Sequence, residues 1–193
     1  MAIADSASKI NTSVGGYSLK HGIVMYEWRL EEAKFIDGMV YKTHDIPPNQ
    51  AGKKVNVKFI YTYSDPYKII SSLVRKEREL GEEWIKEHSW RLRGEAKSMK
   101  NAFRKDVVGF KRNFNLWKDR QDLDILFVRA GSIWDQKEKI EQHIGITVNL
   151  PDKRERKSDI KEIDSENKIE EMKKTYVDMH EFVQKNAFLD KRV

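Results

Sequence analysis

The sequence predicts an α+β protein in which the strands come early in the chain and the helices come late. Between residues 24 and 63, apolar side chains alternate with polar ones, which is the period of half-buried strands. After Pro66 they recur every three or four residues, as on one face of a helix. One strand-like run returns at residues 123–128, among the helices. This order is typical of α+β folds rather than of repeated βαβ units.

The length of 193 residues is that of one domain with short additions. Residues 1–16 are small and polar and end in Gly15-Gly16, so they are interpreted as a flexible arm. Residues 17–150 are predicted to form a single α+β domain. The charge-dense residues 151–164 are predicted to be an exposed linker, and residues 165–193 a C-terminal docking helix.

Antiparallel strands and a hairpin are predicted within residues 23–63. The alternation over residues 24–30 indicates the first strand. Asp37-Gly38 stands between two apolar pairs, and this dipeptide favours the type I′ turn of a hairpin. A loop with two prolines, residues 44–54, leads to a further strand over residues 54–63.

A long helix is predicted over residues 66–90. Asp65 can accept a hydrogen bond from the first turn, and Pro66 fits the first helical position because its missing N–H has no helical partner there. A second helix is predicted over residues 95–118, because six apolar residues follow one another at spacings of 4, 4, 3, 4 and 3. These are Met99, Phe103, Val107, Phe110, Phe114 and Trp117.

The remaining elements are a buried strand at residues 123–128, a helix over residues 133–144 and a last helix over residues 165–185. Ser132 and Gly145 are suited to begin and end the middle one. The last helix carries an apolar face that we expect to dock on its own domain or on a neighbouring chain. Its residues are Ile169, Met172, Tyr176, Met179 and Val183.

Several classes of function are excluded by composition or lack sequence support. The chain has no cysteine, which rules out disulfides, thiolate zinc sites and a cysteine nucleophile. The five histidines show no metal-ligand spacing, and no phosphate-binding glycine loop or serine-hydrolase motif is present. We therefore predict no cofactor, no metal site and no catalytic residue. Without an apolar run of membrane length or a signal peptide, we expect a soluble, cytoplasmic protein that has no membrane contact.

The net charge of +6 is concentrated in one part of the chain. Residues 84–120 contain 11 basic and 4 acidic side chains, a net charge of +7, so the rest of the chain is close to neutral. On a helix over residues 95–118, the cations would lie apart from the apolar face. At 1.5 Å per residue they would extend for roughly 32 Å, long enough to follow several phosphates of a nucleic acid.

This basic stripe is the candidate nucleic-acid-binding site. Its predicted residues are Arg91, Arg93, Lys97, Lys100, Arg104, Lys105, Lys111, Arg112 and Lys118, with Trp90 as an aromatic surface for a base. A solvated helix face is normally charged, so a purely structural role of the stripe is the competing interpretation. The separation of cations from acids along the predicted helix favours binding.

Three functions are compatible with these features. The first is a non-enzymatic protein that grips the phosphate backbone of DNA or RNA with little sequence specificity. The second is a structural or assembly subunit of a larger complex, such as a phage or viral particle, in which the chain forms a homo- or hetero-oligomer. The third is a metal-dependent nuclease, suggested by Glu32 and Lys34 in the pattern of a common nuclease core.

Overall fold

Five α-helices and two three-stranded sheets make up the described part of the chain. A computed structural model gives residues 18–19, 22–49, 57–153, 163 and 165–191. The α+β class predicted from the sequence is confirmed. The predicted arm and most of the predicted linker lie outside the described residues, and the predicted division into domains stays a prediction. No helix within these ranges is both long and apolar enough to cross a membrane.

The described residues cluster into two compact units, each drawn from separate stretches of the chain. The first unit contains those of residues 1–61, 120–154 and 188–193, and the second contains those of residues 62–119 and 155–187. The first unit holds the strands and one helix, whereas the second is mainly helical.

The first sheet belongs to the first unit and consists of β1 (Ser18–Leu19), β2 (Gly22–Tyr26) and β3 (Val40–Lys42). β1 and β2 are antiparallel, but β2 and β3 are parallel, with Val24 opposite Val40. The predicted strand over residues 24–30 therefore ends early, at Tyr26. Its partner β3 is parallel to it, whereas the predicted hairpin required an antiparallel partner.

The predicted hairpin is wrong although its turn is present. Gly38 has a positive φ of 75°, and the Met39 N–H donates to the Ile36 carbonyl at 3.2 Å. However, the chain turns earlier as well, because the buried Asp45 carboxylate accepts the Leu30 N–H at 2.8 Å and so ends the first extended segment. Two turns between the strands return the chain in the parallel direction, over a connection long enough for a parallel pair.

The second sheet contains β4 (Phe59–Tyr63), β5 (Ile125–Arg129) and β6 (Phe188–Lys191), in that order. β5 and β6 are antiparallel. β5 confirms the predicted buried strand. The last two residues of β4 belong to the second unit. Residues 57–58 are not strand, and residues 50–56, which include the start of the predicted strand over 54–63, lie outside the described residues.

A helix of the first unit, Lys137–Ile144, packs against this sheet. This helix starts four residues later than predicted, after a short 3₁₀ turn, and ends at Gly145 in the left-handed conformation, as predicted. The core of the first unit lies where it meets the sheet. The fully buried residues of this core are Leu126, Val128, Ile140 and Val148.

A buried histidine of the first unit connects this helix to β4. His143 is 2% exposed, and its Nε2 lies 3.0 Å from the Phe59 carbonyl oxygen. Its Nδ1 lies 3.5 Å from the nearer carboxylate oxygen of Asp124. Burial lowers the pKa of His143, and the Asp124 charge opposes this shift only in part. The folded protein therefore favours neutral His143.

The wild-type protein is expected to lose stability as the pH falls from about 7 to 5. In this range the unfolded chain protonates its histidines, whose ordinary pKa is about 6.5, whereas the fold resists protonation of His143. Burial also lowers the pKa of His88, which contributes to the same loss of stability at low pH. In His143→Gln, urea unfolding should show a smaller loss of free energy between these two pH values. An unchanged pH dependence would show that His143 is not held neutral.

The second unit begins with α1 (Pro66–Leu80) and α2 (Glu82–Arg91). Asp65 accepts the Tyr67 N–H at 2.9 Å, so the predicted start is confirmed. The predicted single helix over residues 66–90 is wrong at Gly81, whose φ of 83° separates the two helices. α1 packs against α2 and against the last helix of the chain.

Two further helices complete the second unit. They are α3 (Phe110–Asp119) and α5 (Glu166–Lys185); the helix of the first unit at Lys137–Ile144 is α4. α5 confirms the predicted last helix. The helix predicted over residues 95–118 is wrong over its first half, because residues 95–109 form no α-helix. Gly109, at φ 89°, ends any helical continuation towards α3.

The core of the second unit contains the apolar residues from which that longer helix was predicted. Met99, Phe103, Phe110, Phe114 and Trp117 are all buried. Phe114 contacts the rings of Tyr63 and Phe182, and Phe110 stacks on Tyr176 of α5 with ring centroids 4.9 Å apart. The sixth residue of the pattern, Val107, is only partly buried, so the pattern identified five core residues correctly and the local backbone wrongly.

Candidate nucleic-acid interface

Half of the ten predicted binding residues lie between α2 and α3 of the second unit, and the other half lie on these two helices. We call residues 94–109 the basic loop. It carries four of the predicted cations and contains one short 3₁₀ turn, Met99–Asn101. Three of its apolar side chains, Met99, Ala102 and Phe103, are buried beneath it. A loop of this length that is closed at its ends and packed by its own side chains is an Ω-loop.

Two glycines allow the ends of the basic loop to meet. A Cβ atom added to Gly94 would lie 2.2 Å from the Val108 carbonyl oxygen, and one added to Gly109 would lie 3.1 Å from the Cα of Gly94. The backbone is also paired here, since the Glu95 N–H donates to the Val107 carbonyl at 2.8 Å. No side chain fits between the two chain segments that meet at this point.

Ser89 of α2 forms hydrogen bonds to both ends of the basic loop from inside the unit. Its hydroxyl is buried and accepts the Ala96 N–H at 2.9 Å. The same hydroxyl lies 3.3 Å from the Val107 carbonyl oxygen, to which it can donate. Because one hydroxyl can both donate and accept, Ser89 satisfies backbone groups from both ends of the loop.

Three groups outside the loop hold its middle. The Glu77 carboxylate of α1 accepts the Met99 N–H at 2.8 Å. From α5, the Tyr176 hydroxyl donates to the Ala102 carbonyl at 2.8 Å, and the Thr175 hydroxyl donates to the Phe103 carbonyl at 2.8 Å. The loop backbone is therefore fixed on its inner side.

Arg93 connects α2 to the basic loop in an unusual conformation. It has a φ of 57°, the only positive φ of a non-glycine residue in the described ranges. Its N–H donates to the Trp90 carbonyl at 3.1 Å, and the Gly94 N–H donates to the Ser89 carbonyl at 2.8 Å. These two bonds form a Schellman motif, in which the residue at the position of Arg93 is usually glycine.

Arg93→Gly is expected to stabilise the protein by about 1 kcal/mol, because glycine adopts the left-handed conformation without the steric cost that an L side chain has there. Urea unfolding followed by fluorescence measures the change. Arg93→Ala is the control, since it removes the same guanidinium and keeps the steric cost. Equal stabilities of these two variants would contradict the explanation.

Four of the nine predicted cations make ion pairs with acidic side chains. Arg91 pairs with Glu87 one turn earlier in α2, and Lys118 pairs with the adjacent Asp119. Arg104 contacts Glu171 of α5 at 2.7 Å. Lys111 contacts Asp178 of α5 at 2.8 Å and donates to the Thr175 carbonyl. These side chains have local electrostatic roles that the sequence pattern did not reveal.

Three lysines of the basic loop, Lys97, Lys100 and Lys105, are exposed. Within the described part of the chain none of them makes an ion pair. Arg112 is also exposed and lies beside Arg93, whose carbonyl accepts a hydrogen bond from the Arg112 guanidinium at 3.3 Å. The structure thus brings Arg93 and Arg112 together at the closure of the loop.

Asp106 is an acidic residue near this closure. One of its carboxylate oxygens accepts the Arg112 N–H at 2.7 Å and so satisfies the first turn of α3. The other oxygen is buried and has no hydrogen-bond partner among the described residues. Burial raises the pKa of Asp106, and the surrounding backbone N–H groups oppose this shift. Its carboxylate is turned into the protein rather than towards solvent.

An open hollow of about 400 Å³ lies along α3 next to these residues. It is lined by Asp106, Lys111, Arg112, Asn115, Leu116, Asp119 and Thr175. Two acids and two cations share this lining, so their charges balance. The hollow therefore has no clear preference for an anion.

Trp90 is 51% exposed, as expected for a residue that could present its ring to a base. The residues predicted to dock on a partner are placed differently. Met172, Tyr176, Met179 and Val183 are buried by their own chain, and Ile169 is only partly exposed. Most of the apolar face of α5 is thus part of the core of the second unit.

Within the described residues, no group of three or more histidine, aspartate or glutamate side chains could hold a metal ion. Comparison of the chain with protein-family models, curated proteins and solved structures finds no match. The geometry of the basic loop is consequently the main guide to function.

Proposed function

We propose that the protein binds nucleic acid through its phosphate backbone, with little sequence specificity. The single observation that supports this most is the exposure of the three loop lysines without an acidic partner in the described part of the chain, inside the segment that carries a net charge of +7. Arg112, which is also exposed, extends the set at the closure of the loop. We call these four residues the cationic patch: Lys97, Lys100, Lys105 and Arg112.

The chemistry of the patch favours phosphates over base edges. A lysine ammonium is a mobile point charge on a flexible stem, which suits a phosphate in many orientations. Contacts to phosphates position a nucleic acid and carry no direct sequence information. A backbone fixed by Glu77, Thr175 and Tyr176 supports these mobile side chains on a constant surface.

Of the nine predicted cations, we expect the four exposed members of the cationic patch to contact phosphate. Arg104 and Lys111 contact acidic side chains of α5, and these ion pairs would break if either cation moved to a phosphate. The alternative of an assembly subunit was based on the N-terminal arm, the proline loop, the alternating strands and the apolar face of α5. Because that face is mostly buried by its own chain, we take the nucleic-acid proposal forward.

Binding is expected to weaken steeply as salt is added, because each neutralised phosphate releases a condensed counterion. Four contacts give a slope of log K against log salt of about −2.8 for a single strand and about −3.6 for a duplex. Fluorescence anisotropy with a labelled 20-nucleotide strand between 50 and 300 mM NaCl measures the slope, and two unrelated sequences should bind within about threefold of each other. A flat salt dependence, or no binding at 50 mM, would exclude the proposed function.

A further inference from the structure

The open hollow along α3 is continuous with the cationic patch. Arg112, Leu116 and Asp119 line the hollow and follow one another at spacings of 4 and 3 residues, so they share one face of α3 with Asn115. Arg112 belongs both to this lining and to the cationic patch. A strand held by the patch can therefore place its next group in the hollow.

Most of the charged side chains that line the hollow are already engaged by the protein. Lys111 contacts an aspartate of α5 at 2.8 Å, and Asp119 contacts the preceding lysine at 3.2 Å. Asp106 accepts the backbone N–H of Arg112 at 2.7 Å. The Arg112 guanidinium donates one hydrogen bond, to a backbone carbonyl, and makes no ion pair within the described part of the chain. The lining thus suits an uncharged group whose neighbour carries a negative charge.

The other groups of the lining suit a flat ligand with polar edges. Leu116 is 37% exposed and offers an apolar contact. The side-chain amide of Asn115 makes no hydrogen bond to the described residues, so its donor and its acceptor remain for a ligand. The volume of about 400 Å³ lies within the range of small-molecule sites, roughly 300–1,000 Å³, which combine apolar contacts with a few polar groups.

We infer that the hollow holds one unpaired base of a single-stranded nucleic acid, with the adjoining phosphate at Arg112. This inference rests on the proposed function and specifies its substrate class. A base is flat, packs against apolar side chains and carries hydrogen-bonding groups along its edge. In a duplex these edges are paired and the bases are stacked on one another, so a duplex cannot fill the hollow.

Asn115 is the residue expected to pair with the base. An asparagine amide presents one acceptor and two donors, which can form two hydrogen bonds to a base edge. Because the amide can turn over, it can match edges with different arrangements of donors and acceptors. The hollow would therefore accept a base of any kind, in agreement with binding that has little sequence specificity.

The test compares three ligands of equal length at one salt concentration: a 20-nucleotide strand, its duplex, and an abasic strand that keeps the sugar–phosphate backbone without the bases. The wild-type protein should bind the complete strand roughly fivefold or more tightly than the abasic strand, since both carry the same phosphates and only one can fill the hollow. Asn115→Leu should bind the complete strand roughly fivefold or more weakly than wild type does, and the other two ligands within about twofold.

Asn167→Leu is the matched control for Asn115→Leu. Asn167 is an exposed asparagine of α5 in the same unit and does not line the hollow. This variant should bind all three ligands as wild type does. Leucine favours a helix more than asparagine does, so both variants should fold, and circular dichroism checks this.

The outcomes separate this inference from the proposed function. The inference is overturned, and the phosphate-binding function stands, if the wild-type protein binds complete and abasic strands equally or if Asn115→Leu binds the complete strand as wild type does. An equal loss in Asn167→Leu would also overturn it. If the wild-type protein binds none of the three ligands, both fail. The comparison of complete and abasic strands uses the wild-type protein alone and decides the inference even where a variant does not fold.

Discussion

Replacing Gly94 with alanine is expected to lower the free energy of unfolding by about 3 kcal/mol or more. The added Cβ would lie 2.2 Å from the Val108 carbonyl oxygen and 2.6 Å from the Ser89 hydroxyl. Carbon and oxygen atoms cannot approach so closely, and the obstacle is backbone rather than a flexible side chain. The basic loop would have to open, which would break the pairing of Glu95 with Val107 and expose buried apolar residues.

Two other glycines provide matched controls for Gly94→Ala. Gly131 has no atom within 4 Å of an added Cβ and no positive φ, so Gly131→Ala should change stability by less than about 0.5 kcal/mol. Gly81 also has free space, but its φ of 83° and ψ of 173° are essentially restricted to glycine, so Gly81→Ala should cost about 2 kcal/mol from backbone strain alone. Urea denaturation ranks the three variants. A Gly94→Ala protein as stable as Gly131→Ala would refute the close contact on which the loop geometry depends.

Local signals allowed several elements to be predicted from the sequence. Asp65 and Pro66 mark the start of α1 because a capping carboxylate and a residue without an N–H both suit a helix N-terminus. The regular apolar spacing predicted α5, and Gly145, which is left-handed in the structure, predicted the end of α4, for similar reasons. In each case the information lies within one or two turns of the chain.

The helix predicted over residues 95–118 was wrong over its first half because residues at helical spacing can be buried without forming a helix. Met99 and Phe103 are buried, as their spacing indicates, but they reach the core from a loop. Gly109 was the available signal against a continuous helix, since glycine favours the positive φ that it adopts there. The close approach of Gly94 to Val108 is a tertiary contact that no local pattern indicates.

The cationic site was only partly predicted, because some of its ion pairs are local and others are tertiary contacts. The pairing of Arg91 with Glu87 follows from an i, i+4 spacing and could have been inferred from the sequence. The partners of Arg104 and Lys111 come from α5, more than 60 positions further along the chain. Only the packing of α5 against the basic loop identifies which cations have acidic partners.

Reversing the charges of the three loop lysines is expected to weaken nucleic-acid binding by at least 100-fold. Lys97→Glu, Lys100→Glu and Lys105→Glu together remove three of the four expected phosphate contacts and place three carboxylates against the phosphate backbone of the nucleic acid. The fold should be retained, because all three side chains are exposed and the loop is held by its backbone and by buried residues. Arg104 and Lys111 are left unchanged because their ion pairs connect the basic loop and α3 to α5.

The most direct measurement compares this triple variant with a control of the same net charge. The control carries Lys34→Glu, Lys58→Glu and Lys68→Glu, three exposed lysines outside the basic loop; both variants change the net charge from +6 to 0. Anisotropy titrations at 50 mM NaCl with one labelled 20-nucleotide strand should show a loss of at least 100-fold for the loop variant and no more than about tenfold for the control. Equal losses in the two variants would show that binding follows net charge, and would contradict a binding site on the basic loop.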